Sequence, residues 1–173
     1  MILSVCPNPS VDCTIELDTL KTGSLNRVEN KVITYSGKAL NVAVGVARLG
    51  GDSFATGFMF DDNGKMFVHA LDDEGVKNTF VWNKGGARTN YKIVDKRSMM
   101  TEINDKGEPV AEKEQEELLD LVGTLSQQAS VVVMSGSLPS GVGDDYYLRL
   151  SERIPKNVKK IFDVTGDRLV NAL

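Results

Sequence analysis

The sequence predicts an α/β protein, a parallel-sheet core carrying a small β appendage. Three observations predict it. From Lys113 onward, helix-like and strand-like segments alternate at the pace of βαβ units. Val131-Val132-Val133-Met134 is a continuous apolar run, the pattern of a parallel strand buried on both faces. The first half carries additional strand-like stretches between those units, Cys13 to Tyr35 and Arg88 to Asn104. No repeat, linker or charge block divides the 173 residues, so one folding unit, 1–173, is expected.

The elements follow in order. Ile2 to Cys6 reads as a short buried strand, ended by Pro7-Asn8-Pro9, because proline lacks a donor and restricts its neighbour. Cys13 to Leu17 and Arg27 to Tyr35 alternate weakly, as strands of a partly exposed sheet do. Lys38 to Leu49 places Val42, Val46 and Leu49 at helical spacing with alanines beside them, which predicts a buried helix stopped by Gly50-Gly51. Ser53 to Phe58 is a strand, and Asn63 is positioned to cap a helix through about Leu71. Lys77 to Trp82, Thr89 to Val94 and Met99 to Asn104 are strands, with a turn at Asn104 to Gly107. Lys113 to Ser126 is an amphipathic helix with Leu118, Leu121, Val122 and Leu125 on one face. After the apolar strand come a helix from Asp144-Asp145 to Ile154, a strand at Lys160 to Val164, and a helix beginning at Gly166-Asp167.

Composition narrows the function. An apolar share of 41% with 25% charged residues is ordinary for a globular protein and excludes a disordered one. A net charge of -4 argues against nucleic acid as the main partner. No run approaches the ~18 apolar residues of a membrane span. Met1-Ile2-Leu3-Ser4 does not open a signal peptide, and two cysteines, Cys6 and Cys13, make no disulfide scaffold, so a cytoplasmic setting is expected. The single histidine, His69, sits on a predicted helix among apolar residues, where a structural role is expected.

Polar residues collect where strands end. Asn8, Ser10 and Asp12 follow the first strand, Ser135-Gly136-Ser137 the apolar one, and Asp163, Thr165 and Gly166 the last. Ligands of doubly wound sheets bind at that carboxyl edge. Ser36-Gly37-Lys38 opens the predicted buried helix, where free N–H groups and a lysine favour an anion, and Asn41 follows one turn on. This is no Walker A loop, since Val32 and Ala39 occupy its glycine and Ser/Thr positions. Period two places Arg88, Asn90 and Lys92 on one strand face, a set suited to a phosphorylated or hydroxylated ligand. Glu102 and Asn104 share a face of the next strand. Neither a nucleophile elbow at Ser135 to Gly141 nor a dinucleotide fingerprint at Gly141-Val142-Gly143 is present.

Taken together and in order, Asn8 to Asp12, Ser36 to Ala43, Arg88 to Lys92, Thr101 to Asn104, Ser135 to Pro139 and Asp163 to Gly166 resemble the ribokinase-like sugar kinases, the phosphofructokinase B group. The resemblance is greatest to its 1-phosphofructokinase and tagatose-6-phosphate kinase branch. It implies a three-layer α/β core with a β-sheet lid, ATP with Mg2+, and phosphorylation of a ketohexose phosphate, fructose 1-phosphate first and tagatose 6-phosphate as the alternative. It also implies a homodimer through the lid. By position, Asp12 would hold sugar hydroxyls, and Gly37, Lys38 and Asn41 would line the sugar pocket. Arg88 with Asn90 would grip the substrate's phosphate, with Ser137 nearby. Asp163 would organise magnesium and the ATP phosphates through water, with no direct metal ligand in the chain. Two departures stand out. Ser36 and Ala39 replace glycines of the usual Gly-Gly-Lys-Gly, and the family's Asn-x-x-Glu and Gly-x-Gly-Asp motifs fall beyond Leu173. The expected catalytic aspartate is thus outside these 173 residues. The chain reads as the N-terminal portion of a kinase, truncated at the C-terminal side and inactive alone. A non-catalytic sugar-phosphate-binding or dimerisation module is the alternative of another class.

Overall fold

Strand β1 (Ile2–Cys6) lies at the centre of a parallel core sheet. The computed structural model describes residues 1–166, so the helix expected from Gly166-Asp167 lies outside the described residues. Parallel to β1 run β4 (Ser53–Phe60) on one side and β9 (Val131–Ser135) on the other. Beyond β9 lies β10 (Lys159–Asp163); β5 (Lys77–Asn78) and β6 (Val81–Asn83) both pair with β4. Helices α1 (Lys38–Arg48) and α2 (Gly64–Asp73) serve the connections that wind toward β5. Helices α3 (Glu112–Ser126) and α4 (Tyr146–Arg153) serve those that wind back toward β10. Right-handed crossovers then put the first pair on one face of the sheet and the second pair on the other. The winding reverses between β1 and β9, and that switch point is where such sheets open a crevice. Leu3, Val5, Val132 and Met134 of the two central strands are completely buried, as a strand covered on both faces requires.

The lid is a second sheet in the order β3-β2-β7-β8, made of β2 (Ser10–Leu17), β3 (Asn30–Ser36), β7 (Arg88–Asp95) and β8 (Met100–Asn104). Its register sorts the side chains. Ser10 stands opposite Ser36 and Arg88, Asp12 opposite Thr34 and Asn90, and Asn90 opposite Asn104, all on one polar face. Ile33, Cys13, Tyr91 and Ile103 form a row across the other face.

Several expectations change. β2 begins at Ser10, not Cys13, because Ser10 to Asp12 pair with strands on both sides. The strand expected over Lys77 to Trp82 is two short pieces, β5 and β6, with the same offset to β4 on either side of the break: Asn78 faces Ala55 and Val81 faces Phe58. The break falls opposite Thr56 and Gly57, and Gly57 has a φ of 150°. α1 turns Ala39, Leu40 and Ala43 inward, while Leu49 is 90% exposed, so the helix is buried on one face only. His69 lies on the solvent side of α2 and pairs with Asp73 at 3.2 Å, not among apolar neighbours. Asn63 occupies the cap position of α2 but makes no capping hydrogen bond. Among the described residues, no helix is long and apolar enough to cross a membrane.

Candidate active site

The chain leaves β1 through Pro7-Asn8-Pro9, climbs into the lid along β2, and returns along β3 to start α1. The polar lid face is thereby carried over the carboxyl ends of β1 and β9. Between lid and core lies a cavity of about 390 Å³. Asp12, Gly37, Lys38, Asn41, Arg88, Asn90 and Ser137 all line it, so the structure brings together seven residues singled out from four separate segments. Asp163, at the end of β10, stands at its edge, with Val164 and Thr165 among the lining residues.

The lid side of the cavity is a relay of hydrogen bonds. Arg88 Nη1 donates to Asn90 Oδ1 at 3.2 Å, and Asn90 Nδ2 donates to Asp12 Oδ1 at 3.0 Å. Ser10 Oγ donates to the same Asp12 oxygen at 3.1 Å. The Arg88 guanidinium is therefore aimed by an amide whose other end is fixed by a carboxylate. Arg88 Nε is shielded from water and has no partner among the described residues. An orphan buried donor of this kind is unfavourable, and its presence beside a cavity marks a group held for something else.

The core side is built from strand ends. Asn8 Nδ2 donates to Ser137 Oγ at 3.1 Å, tying the end of β1 to the end of β9. Ser135 Oγ donates to Asp163 Oδ2 at 2.7 Å, which links β9 to β10. Lys38 Nζ lies 3.9 Å from the same Asp163 oxygen, and both side chains are more than half exposed. In that setting the pair holds little energy and leaves both charges available. Ser36 Oγ donates to Asn41 Oδ1 at 3.3 Å across the first turn of α1.

Gly37 is needed for space. Its backbone is extended, but a Cβ there would lie 2.6 Å from Cys6 Sγ. That sulfur is buried beneath the start of α1 and accepts backbone N–H groups of Leu40, Asn8 and Ala39. Burial pushes the Cys6 thiol up to about 11, so it stays protonated and inert. Both cysteines are free and buried.

The arrangement presents a guanidinium, an ammonium and a helix N-terminus with no acidic residue in its first turn, next to a carboxylate and amides. Cations and free N–H groups suit an anionic group, while carboxylate and amides suit hydroxyls. The family model of pfkB family carbohydrate kinases matches residues 8–169, nearly the whole chain. The chain belongs to the pfkB carbohydrate kinase family. Among curated proteins it is 36% identical over 169 residues to a 1-phosphofructokinase of Borreliella burgdorferi, covering 98% of this chain and 54% of that protein. Among solved structures it is similar to one from Thermotoga maritima described as a possible 1-phosphofructokinase (TM-score 0.89, 28% identity, 99% of this chain and 56% of that one). It is likewise similar to Escherichia coli phosphofructokinase-2 solved with fructose-6-phosphate (TM-score 0.89, 26% identity, 99% and 57%). The chain thus spans about half the length of the relatives it matches.

This pfkB chain accommodates Ala39 at the start of α1. Ala39 lies within the first turn of α1, completely buried, and among the described residues only Ser98 combines a side chain with positive φ. No glycine is needed at Ala39. Asn8, Ser10, Ser36 and Gly136 also line the cavity, residues that the sequence groups at the strand ends and the helix start without an individual contact.

Proposed function

We propose that the protein containing this chain transfers the γ-phosphoryl group of ATP to the free primary hydroxyl of fructose 1-phosphate, giving fructose 1,6-bisphosphate. The observation that carries this reading is the cavity in which a guanidinium and a carboxylate are held at opposite ends of one relay. Arg88, aimed by Asn90, grips the phosphate already on the sugar. Asp12 takes sugar hydroxyls through Oδ2, since the described donors engage Oδ1. Gly37, Lys38, Asn41 and Ser137 complete the sugar pocket. Phosphoryl transfer rests chiefly on positioning and on neutralising charge, and this chain supplies the sugar's positioning. The group that takes the hydroxyl proton is expected in the family's Gly-x-Gly-Asp motif, beyond Leu173.

Among the described residues no cluster of three acidic, histidine or cysteine side chains could hold a metal ion. A lone exposed Asp163 fits contact with hydrated Mg2+ and not direct ligation. Bound with ATP, the ion would offset phosphate charge.

Release of ADP by the whole protein tests the reaction. Fructose 1-phosphate should give the highest kcat/KM, above tagatose 6-phosphate. No release with any ketose phosphate would sink the proposal, and a higher kcat/KM on tagatose 6-phosphate would move it to that substrate.

The outer lid face supports a homodimer. Ile33, Tyr91 and Ile103 are 44%, 41% and 57% exposed in one cross-strand row, an apolar surface suited to a second copy. Sedimentation equilibrium should give a dimer that Tyr91→Glu dissociates. A wild-type monomer at micromolar concentration would contradict this.

A further inference from the structure

Asn63 precedes α2 at the position where an asparagine ordinarily caps a helix, yet its side chain points elsewhere. Its Oδ1 accepts the Ala87 N–H at 2.9 Å, and its Nδ2 donates to the Ala87 carbonyl at 3.1 Å. One amide thus reads both backbone groups of a single residue, as a neighbouring strand would. Ala87 is buried and immediately precedes Arg88, the first residue of β7.

The stretch leading to this point is stitched to the core step by step. Asp61 N–H donates to Asn83 O at 2.9 Å, and Asp62 N–H donates to Gly85 O at 3.0 Å. The Asn63 clamp is the next contact along that seam. After it the chain belongs to the lid, where Ser10 stands opposite Arg88. The other lid junctions are secured differently. Asn8 reaches Ser137, Gly37 packs on Cys6, and Gln115 Nε2 donates to Val110 O at 2.9 Å. Among the described residues, the side chain that hydrogen-bonds the backbone at the entry to β7 is that of Asn63.

We infer that Asn63 is a positioning residue. By clamping Ala87 it sets where β7 leaves the core, and hence where Arg88 and Asn90 sit over the cavity. Helix capping has been given up for that placement. The chemistry explains the residue type. Aspartate accepts the N–H but sets a carboxylate against the Ala87 carbonyl. Serine restores an ordinary cap for α2 but cannot span both groups.

This inference rests on the proposed kinase reading, so its test carries one readout that does not. Asn63→Ser and Asn63→Asp are made in the whole protein. The thermal midpoint of Asn63→Ser should stay near wild type because the cap is regained. In Asn63→Ser, hydrogen exchange at the Ala87 amide should speed up by about tenfold or more, the loss of roughly one hydrogen bond. KM for fructose 1-phosphate should rise about tenfold with kcat changed less than about threefold, a pattern that loss of stability alone does not give. Unchanged exchange at Ala87 in Asn63→Ser, or faster exchange there with KM within about twofold of wild type, overturns the inference. If the wild type phosphorylates no ketose phosphate, the kinase reading fails instead. Calorimetric affinity for fructose 1-phosphate then decides in place of KM, and no difference in affinity between wild type and variants overturns the inference as well.

Discussion

Replacing Arg88 by alanine should raise KM for fructose 1-phosphate about a hundredfold, roughly 3 kcal/mol, with little change in thermal midpoint. The guanidinium makes one weak bond to Asn90, at 3.2 Å, and its Nε has no partner among the described residues. The fold therefore gains little from it. A dianionic phosphate on the substrate would gain charge-assisted hydrogen bonds that water cannot match in a cavity. Arg88→Lys should recover only part of the loss, because an ammonium lacks the planar fork. An unchanged KM in Arg88→Ala would remove Arg88 from the site.

Gly57→Ala should destabilise the protein by about 3 kcal/mol or more, measured by urea unfolding of the whole protein. A Cβ at this position would lie 1.9 Å from the Cys6 carbonyl oxygen and 2.6 Å from its carbon. Those are backbone atoms of the central strand, so no side chain can rotate away. The φ of 150° adds strain for any residue with a side chain. Gly57 stands opposite Cys6 in the sheet, two residues before Asn8, which lines the cavity. A loss below about 1 kcal/mol would show that β4 can move aside there.

These two positions also show what the sequence could disclose. Arg88, Asn90 and Lys92 were placed on one face by period two alone, and the register bears this out. The strand Val131–Ser135 was legible because burial on both faces leaves an unbroken apolar run. The inward face of α1 was not. Leu49 continues the helical spacing but falls at the exposed end, and the burial lies instead on Leu40 and the alanines beside that stripe, Ala39 and Ala43. The close approach at Gly57 and the clamp at Asn63 depend on partners distant in sequence, Cys6 in one case and Ala87 in the other. Local pattern reads a glycine in a strand and an asparagine before a helix. The resemblance to a family named several cavity residues, and the structure adds how they are held: Asp12 fixes Asn90, and Asn90 aims Arg88.

The central claim is that the cavity between the core sheet's switch point and the lid holds a ketohexose phosphate. A crystal structure of the whole protein grown with fructose 1-phosphate tests it most directly. The predicted result is a phosphate within hydrogen-bond distance of the Arg88 guanidinium and sugar hydroxyls on the Asp12 carboxylate. Sugar phosphate bound elsewhere, with this cavity empty, would contradict the claim.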